Sequence, residues 1–526
     1  MNWIRHSEAA QGRASRAWNH QERHAQRRQL PVGLDTLDLV VIAAYLAGVT
    51  LFGLRFRGKQ RTVRDYFLAD KAAPWWAISL SIVAAETSTL TVISVPALAY
   101  QSDFQFLQLV IGYLVGRVVV VLLLIPHYFR GDLVTAYQLI DRRFGQKLRA
   151  LTAGLFLVTR AAAEGVRVFA VAIVVKVALD SVLPGMNGMG RDISAIAIVL
   201  LLTLAYTFRG GMAAVIWTDV VQLSVYLAGC VVALVVMLHA IPGGSTNAFA
   251  IAAHAGRFRM FSLKLNLTTT YTLWSGVIGG AFLTTASHGT DQLIVQRLLS
   301  ASSELKAKIA LLVSGLAVFF QFALFLFIGA MLFVFYKLFA PPAPFTRADI
   351  IFPSFIVTRM PHGVSGLLIA AIVAAAMSNL SAALNSLSST TIVDFYARLA
   401  PSASEEDRVR RSQIATLFWG VILFVLALVA RRGGTVLEMG LSIASVAYGS
   451  LLGVFLLGVL TERASERGAI VGMIFGFALN VYLWRFTPVA FTWYVVIGSI
   501  ATFLIGLAAS CLPPSANSSS RPTIQP

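Results

Sequence analysis

The sequence predicts an all-α polytopic membrane protein, and three observations carry that prediction. Hydrophobic residues make up 57% of the 526 and charged residues only 13%, against about 25% charged in soluble domains. Mean hydropathy is +0.76. The apolar residues fall in long continuous runs, and a spanning helix needs about 20 of them. The chain therefore holds material for about a dozen or more spans and no stretch for a large water-soluble catalytic domain.

The formal net charge of +18 fits the same reading. Lys and Arg gather in the loops between apolar runs, as the positive-inside rule requires, and no basic stretch carries the interleaved aromatics of a single-strand nucleic-acid groove. No nucleic-acid partner is expected. Cys230 and Cys511 both lie in apolar runs, so neither a disulfide framework nor a cysteine metal site is expected.

Residues 1–33 form a polar, basic N-terminal tail without the apolar core of a signal peptide. A transmembrane domain is expected over 34–511 and a short C-terminal tail over 512–526. Thirteen apolar segments follow the first tail, and most carry no chemical information. The first, 36–54, is largely apolar. The second, 75–99, runs Ala84-Ala85-Glu86-Thr87-Ser88-Thr89-Leu90-Thr91 through its middle. The third, 104–126, carries Arg117 and the pair Gly112 and Gly116, a helix-packing pattern. The fourth, 150–178, carries Arg160, Glu164 and Arg167, whose spacing on one helix face makes a self-satisfied buried ion pair. The fifth and sixth, 192–208 and 213–238, are largely apolar, and the latter carries Asp219 near its start.

The seventh segment, 272–292, ends Thr284-Thr285-Ala286-Ser287-His288-Gly289-Thr290-Asp291-Gln292. The eighth, 309–336, is apolar. The ninth, 363–389, contains Ser378-Asn379-Leu380-Ser381 and Asn385-Ser386. The last four, 412–430, 436–460, 468–486 and 490–511, return to Leu, Val, Ile, Ala and Phe.

Polar atoms at membrane depth need a reason. Ser and Thr hydroxyls bond back to their own helix or join neighbouring helices, worth under about 1 kcal/mol each. That account does not cover Glu86, because a carboxylate near the bilayer centre costs at least about 2.5 kcal/mol and is kept for an ion, a proton or a substrate. Spans two and seven are also five spans apart, and Pro96 and Gly289 offer interruptions in them. Irregular segments at matching positions of two halves point to a transporter site built on broken helices, and an odd spacing inverts the second half.

Orientation follows from loop charge. The loops after spans one, three, seven and nine collect Arg55, Lys59, Arg130, Arg142, Lys147, Arg297, Lys306, Arg408 and others, about twice the Lys and Arg of the opposite loops. This places the N-terminus outside and the C-terminus in the cytoplasm, despite the basic tail.

With these segments in view, the chain resembles the sodium:solute symporter family, which includes the bacterial proline-type and sialic acid transporters and the sugar and iodide cotransporters. The resemblance rests on Asp65-Tyr66-Phe67-Leu68-Ala69 before Trp75-Trp76, on Gly210-Gly211-Met212-Ala213-Ala214-Val215-Ile216-Trp217-Thr218-Asp219-Val220-Val221-Gln222, and on Asp291-Gln292-Leu293-Ile294-Val295-Gln296-Arg297-Leu298-Leu299-Ser300-Ala301. It spans about residues 36–460 and implies a LeuT-like fold of five plus five inverted helices. The repeats would cover about 75–238 and 272–460, with one extra helix before them and two after.

The resemblance also implies a site. A sodium ion would lie between spans two and nine, on the carbonyls of Ala84, Thr87 and Ala375 and the hydroxyl of Ser378. Asn379 stands where the family commonly has a second hydroxyl, and its amide oxygen could ligate instead. Glu86 falls where the proline transporter has a membrane-embedded Asp linked to sodium. Asp219 and Ser381 would serve a second ion or ion release. Substrate would touch Thr91, Val110, Tyr113, Thr284, Ser287 and His288, a set poor in the amides and carboxylates that bind a hexose. A carboxylate, an amino acid or another small anion all fit.

Two other readings compete. Gly363-Val364-Ser365-Gly366 resembles the serine motif of an intramembrane protease, but Ser365 lies at the mouth of its span and Leu367 replaces the glycine of a nucleophile elbow. No enzyme is expected. A sensor fused to a kinase is not expected in the roughly fifteen residues after the last segment. Proton coupling on the same fold is the serious alternative, resting on Glu86 and Asn379. The expected mechanism is secondary active symport by alternating access, with Na+ as coupling ion and no other cofactor.

Overall fold

The computed structural model describes residues 33–54, 73–130, 136–182, 188–207, 212–341, 344–396, 404–432 and 434–512, with Leu133, Leu399, Ala400 and Ser402. Residues 1–32 of the N-terminal tail, the Asp65–Ala69 stretch, the Gly210-Gly211 pair and the C-terminal tail beyond 512 lie outside the described residues. Within the described residues every regular element is a helix.

The helices that build the site, in chain order, are α1 (Thr36–Leu54), α2 (Trp75–Glu86), α3 (Thr89–Gln101), α4 (Leu107–Phe129), α5 (Gln146–Val182), α6 (Gly188–Thr207), α7 (Met212–Ala240), α8 (Gly280–Gly289) and α9 (Gln292–Leu299). They continue with α10 (Glu304–Leu338), α11 (Val364–Thr390), α12 (Glu405–Ala430), α13 (Val436–Leu460), α14 (Glu466–Phe486) and α15 (Tyr494–Ser510). Eight helices among the described residues are long and apolar enough to cross a membrane, or nine with the bent pair α2 and α3 taken as one span.

The other four expected segments are not among these helices. α1 runs 19 residues and is apolar apart from Asp38 and a few Thr, Tyr and Gly. The 37-residue α5 carries Arg160, Glu164, Arg167 and Lys176. Arg191 and Asp192 stand in the opening turns of α6. The seventh expected segment is cut into the π-helical Ser275–Gly279 and the ten residues of α8. Length and apolarity alone thus give fewer spans than thirteen.

Burial ranks the spans. Of the apolar window of α11, 83% is buried, against 28% for α14, so the helix carrying Ser378 and Asn379 is central and the C-terminal pair is peripheral. α11 packs on α1 and α7, and its N-terminus is held from a distance. Asp38 of α1 accepts from Gly363 N at 2.7 Å, Ser365 Oγ at 2.7 Å and Gly366 N at 3.0 Å on one oxygen, and hydrogen-bonds His362 Nδ1 at 2.7 Å through the other. The carboxylate therefore satisfies donors that a helix start otherwise leaves bare. It also gives Ser365 a structural task, since that hydroxyl is buried and donates to Asp38.

Spans three and seven meet at glycines. A Cβ on Gly112 would lie 2.4 Å from the Gly276 carbonyl oxygen, and one on Gly116 would lie 2.4 Å from that of Ala281. Only a bare backbone allows this approach, the packing role expected of the pair.

Candidate functional site

Two helix breaks lie beside one cavity, with Glu86 at the first and His288 at the second 3.4 Å apart. The chain bends by 63° between α2 and α3, and the break falls at Thr87 and Ser88, not at Pro96. Pro96 lies inside α3, with its carbonyl against Gly329, where a Cβ would come within 2.2 Å. The interior proline is accommodated by packing, while the polar run 86–89 supplies side chains that hold a broken backbone. The second break follows Gly289, as the sequence suggests. There α9 restarts with Asp291 as N-cap, its Oδ1 accepting from Leu293 N at 2.9 Å.

The first break frees backbone oxygen. Thr87 N donates to Val83 O at 2.8 Å and Ser88 N to Glu86 O at 3.2 Å, while Ala84 O receives the Asn379 amide nitrogen at 3.4 Å. The bend therefore meets α11 at the residues expected to hold a cation. Ala375, Ser378, Asn379 and Ser381 are all buried on α11, one turn apart at i, i+3 and i+4 spacings. Thr89 Oγ1 ties the start of α3 to the Ile372 carbonyl at 3.2 Å. The Thr87 hydroxyl donates to Gln321 Oε1 at 3.1 Å, and Gln321 Nε2 donates to Tyr226 OH at 3.1 Å.

Asp219 is buried among four helices. Its Oδ2 accepts from Ser81 Oγ at 2.7 Å and from Arg297 Nη2 at 3.1 Å, and its Oδ1 accepts from Ser378 Oγ at 3.4 Å. Arg297 Nε also donates to Ser81 Oγ at 2.9 Å. One carboxylate thus joins α2, α7, α9 and α11, with an arginine that composition and spacing did not single out.

A cavity of about 190 Å³ opens beside the breaks. Thr91, Tyr113, Thr284, Ser287 and His288 all line it, together with Glu86 and Asn379. Val110 is buried but is not among the lining residues. Glu86 turns its carboxylate to Arg117, whose Nη2 donates to Glu86 Oε2 and approaches His288 Nε2 at 3.2 Å. The Arg117 side chain is 1% exposed and the Glu86 side chain 14%. His288 Nε2 thus sits between the Arg117 guanidinium, which only donates, and Glu86 Oε2 at 3.4 Å, while its Nδ1 faces Ser287 Oγ at 2.9 Å.

The opposite wall holds a second charged group. Glu164 pairs with Arg160 at 2.9 Å and Arg167 at 2.7 Å, the self-contained pairing that the spacing on α5 implies. Arg160 also reaches Asp291 Oδ2 at 3.3 Å, which accepts from Tyr448 OH at 2.8 Å. Arg160, Arg167, Asp291 and Tyr448 line the cavity as well. Sequence reasoning missed Asp291, Tyr448 and Arg297 as site residues. The signal available for Asp291 and Arg297 was a charge on either side of a short apolar helix.

Known proteins share this architecture. The sodium:solute symporter family profile matches residues 66–476. The chain is similar to the sodium/sialic acid symporter SiaT of Proteus mirabilis, 30% identical over 487 residues that cover 89% of this chain and 94% of that one. It is similar also to sodium-coupled monocarboxylate transporter 1 of Mus musculus, 28% identical over 454 residues that cover 85% of this chain and 72% of that one. Its fold is similar to that of a sodium-coupled sialic acid symporter solved substrate-bound and outward-open, with a TM-score of 0.77, 29% identity, and coverage of 90% of this chain and 98% of that one. With the family profile extending over most of the chain and across both helix breaks, the chain belongs to the sodium:solute symporter family, whose members are transporters.

Proposed function

We propose that the chain is a sodium-coupled symporter that carries a small carboxylate-bearing solute by alternating access. The observation that carries this reading is the break at Thr87–Ser88, which meets Ser378 and Asn379 on α11 and borders a cavity walled by Glu86, His288 and Arg167. Sodium prefers oxygen ligands, and the carbonyls of Ala84, Thr87 and Ala375 with the Ser378 hydroxyl supply them. The Asn379 amide contributes its oxygen once it rotates away from Ala84 O. Asp219 and Ser381 stand on the cytoplasmic route of the ion.

The cavity supports a carboxylate over a hexose, because its charged groups include Arg160 and Arg167, and similar chains are named for sialic acid and monocarboxylates. Thr91, Tyr113, Thr284, Ser287 and His288 orient the solute. The driving force is the sodium gradient, with about 2.3 kcal/mol per charge from each 100 mV of membrane potential. The fold assigned to this function is thirteen spans in a five-plus-five inverted arrangement, one helix before and two after, in a cell membrane with the N-terminus outside. Proton coupling through Glu86 is disfavoured by Arg117, since neutralising that carboxylate would strand a buried cation.

The test is uptake into proteoliposomes of labelled sialic acid and of labelled monocarboxylates under an imposed sodium gradient, with potassium as control. Sodium-driven accumulation of either solute is expected. Accumulation that ignores sodium and follows an imposed proton gradient would overturn the reading.

A further inference from the structure

We infer that Glu86 acts on the sodium site as the counter-ion of Arg117 and not as a sodium ligand. The inference rests on the sodium reading above and deepens it. Arg117 lies mid-membrane with its side chain 1% exposed. Its Nη1 reaches only the Tyr113 carbonyl at 3.4 Å, and its Nε has no hydrogen-bond partner among the described residues. Glu86 is the carboxylate that Arg117 contacts, with His288 Nε2 beside both at 3.2 Å and 3.4 Å, so Glu86 is the group that balances the cation. The protein also makes room for this arginine, because a Cβ on Gly315 would lie 2.7 Å from Arg117 Cδ.

Glu86 is at the same time the last residue of α2, two positions after Ala84 and one before Thr87. A guanidinium held beside that turn repels any cation bound to its carbonyls, since charges separated by low-dielectric protein interact strongly. Glu86 cancels the repulsion from inside the pair. Its Oε2 is already committed to Arg117 and His288, and the carboxylate is assigned a charge at the site and not a ligand role. The same pair borders the cavity, which places the charge balance of the cation site one side chain away from the substrate.

The two roles separate in a double variant. Glu86→Gln keeps the shape and removes the charge, and sodium affinity falls by about tenfold or more under either role. Adding Arg117→Met removes the cation while its side chain keeps the apolar stem in place. The amide introduced by Glu86→Gln can then donate to His288 Nε2, so no buried polar atom is orphaned. A counter-ion role predicts that the double variant regains sodium affinity close to wild type. A ligand role predicts that it stays as weak as Glu86→Gln.

The experiment titrates sodium chloride against purified full-length wild type, Glu86→Gln and Glu86→Gln/Arg117→Met, reading half-maximal thermal stabilisation at constant ionic strength with choline. Recovery in the double variant to within about threefold of wild type, well inside the tenfold loss, supports the inference. A double variant as weak as the single, or a Glu86→Gln variant that binds sodium like wild type, overturns it. Should Glu86→Gln fail to fold with its stranded cation, the double variant alone decides, by keeping or losing wild-type affinity. A wild type without any sodium response overturns the sodium reading itself and the inference with it, which is a different result from loss in the double variant alone.

Discussion

Two buried arginine–carboxylate pairs touch helix α2, one through Ser81 and one through Glu86, and they do different work. Asp219 and Arg297 are 2% and 1% exposed, and Asp219 takes further bonds from Ser81 and Ser378 on two other helices. Every oxygen of that carboxylate is used, which makes the pair a staple between α2, α7, α9 and α11. Glu86 and Arg117 pair within reach of the cavity, where the Glu86 side chain is 14% exposed and His288 approaches the same oxygen at 3.4 Å. The chemistry is alike, and the difference lies in saturation and exposure. A saturated pair resists change, whereas a pair open on one side can be read by an ion or a solute.

The largest effect expected from breaking this comparison is at the saturated pair. Asp219→Asn leaves Arg297 as an uncompensated buried cation, at a cost of about 3–5 kcal/mol. Thermal unfolding should show a large loss, most of it recovered in Asp219→Asn/Arg297→Met. An Asp219→Asn variant as stable as wild type would remove the staple from the account.

A smaller effect is expected at the open pair. Gly315→Ala adds a methyl 2.7 Å from the buried Arg117 Cδ, an overpacking cost of about 1–3 kcal/mol that the helix propensity of Ala offsets by about 1 kcal/mol. Stability should fall modestly while half-maximal sodium rises, because the arginine is pushed off Glu86. Unchanged sodium affinity with a displaced Arg117 would separate the pair from the ion.

Smaller still is the stability change for Ser378→Ala. Its hydroxyl makes one long bond to Asp219 at 3.4 Å, so its loss should cost about 0.5–1.5 kcal/mol while sodium-dependent uptake collapses. Full uptake in this variant would move the cation site elsewhere. Last, raising external pH through the neutral range should leave sodium-driven uptake unchanged, because Glu86 is paired with Arg117 as its counter-ion. A collapse at alkaline pH would point to a proton as the coupling ion.

The sequence made one class of feature legible and hid another. Glu86 could be picked out because a carboxylate at membrane depth is costly, and Thr91, Tyr113, Thr284, Ser287 and His288 through the family resemblance; all six line one cavity. Their partners could not, because pairing is tertiary. Arg117 is 31 residues from Glu86, Arg297 is 78 from Asp219, and Asp38 caps a helix 325 residues away at Gly363. No local period encodes such distances. The break in span two shows the same limit. Pro96 carried the stronger local signal for interruption, yet the chain bends at Thr87, where Asn379 of α11 reaches the freed backbone. The fold class was readable from composition. The span count was less so, since α5 carries four charged residues that are satisfied by pairing and so looks less apolar than its neighbours.

The most direct test of the central claim is the thermal stability of purified wild type and Ser378→Ala in sodium against potassium chloride at equal ionic strength. Sodium at about ten times its dissociation constant should stabilise the wild type by about 1.4 kcal/mol, and the variant should show no sodium-specific shift. Equal stability of the wild type in the two salts, or an undiminished sodium shift in Ser378→Ala, would contradict a sodium site between the broken helix and α11.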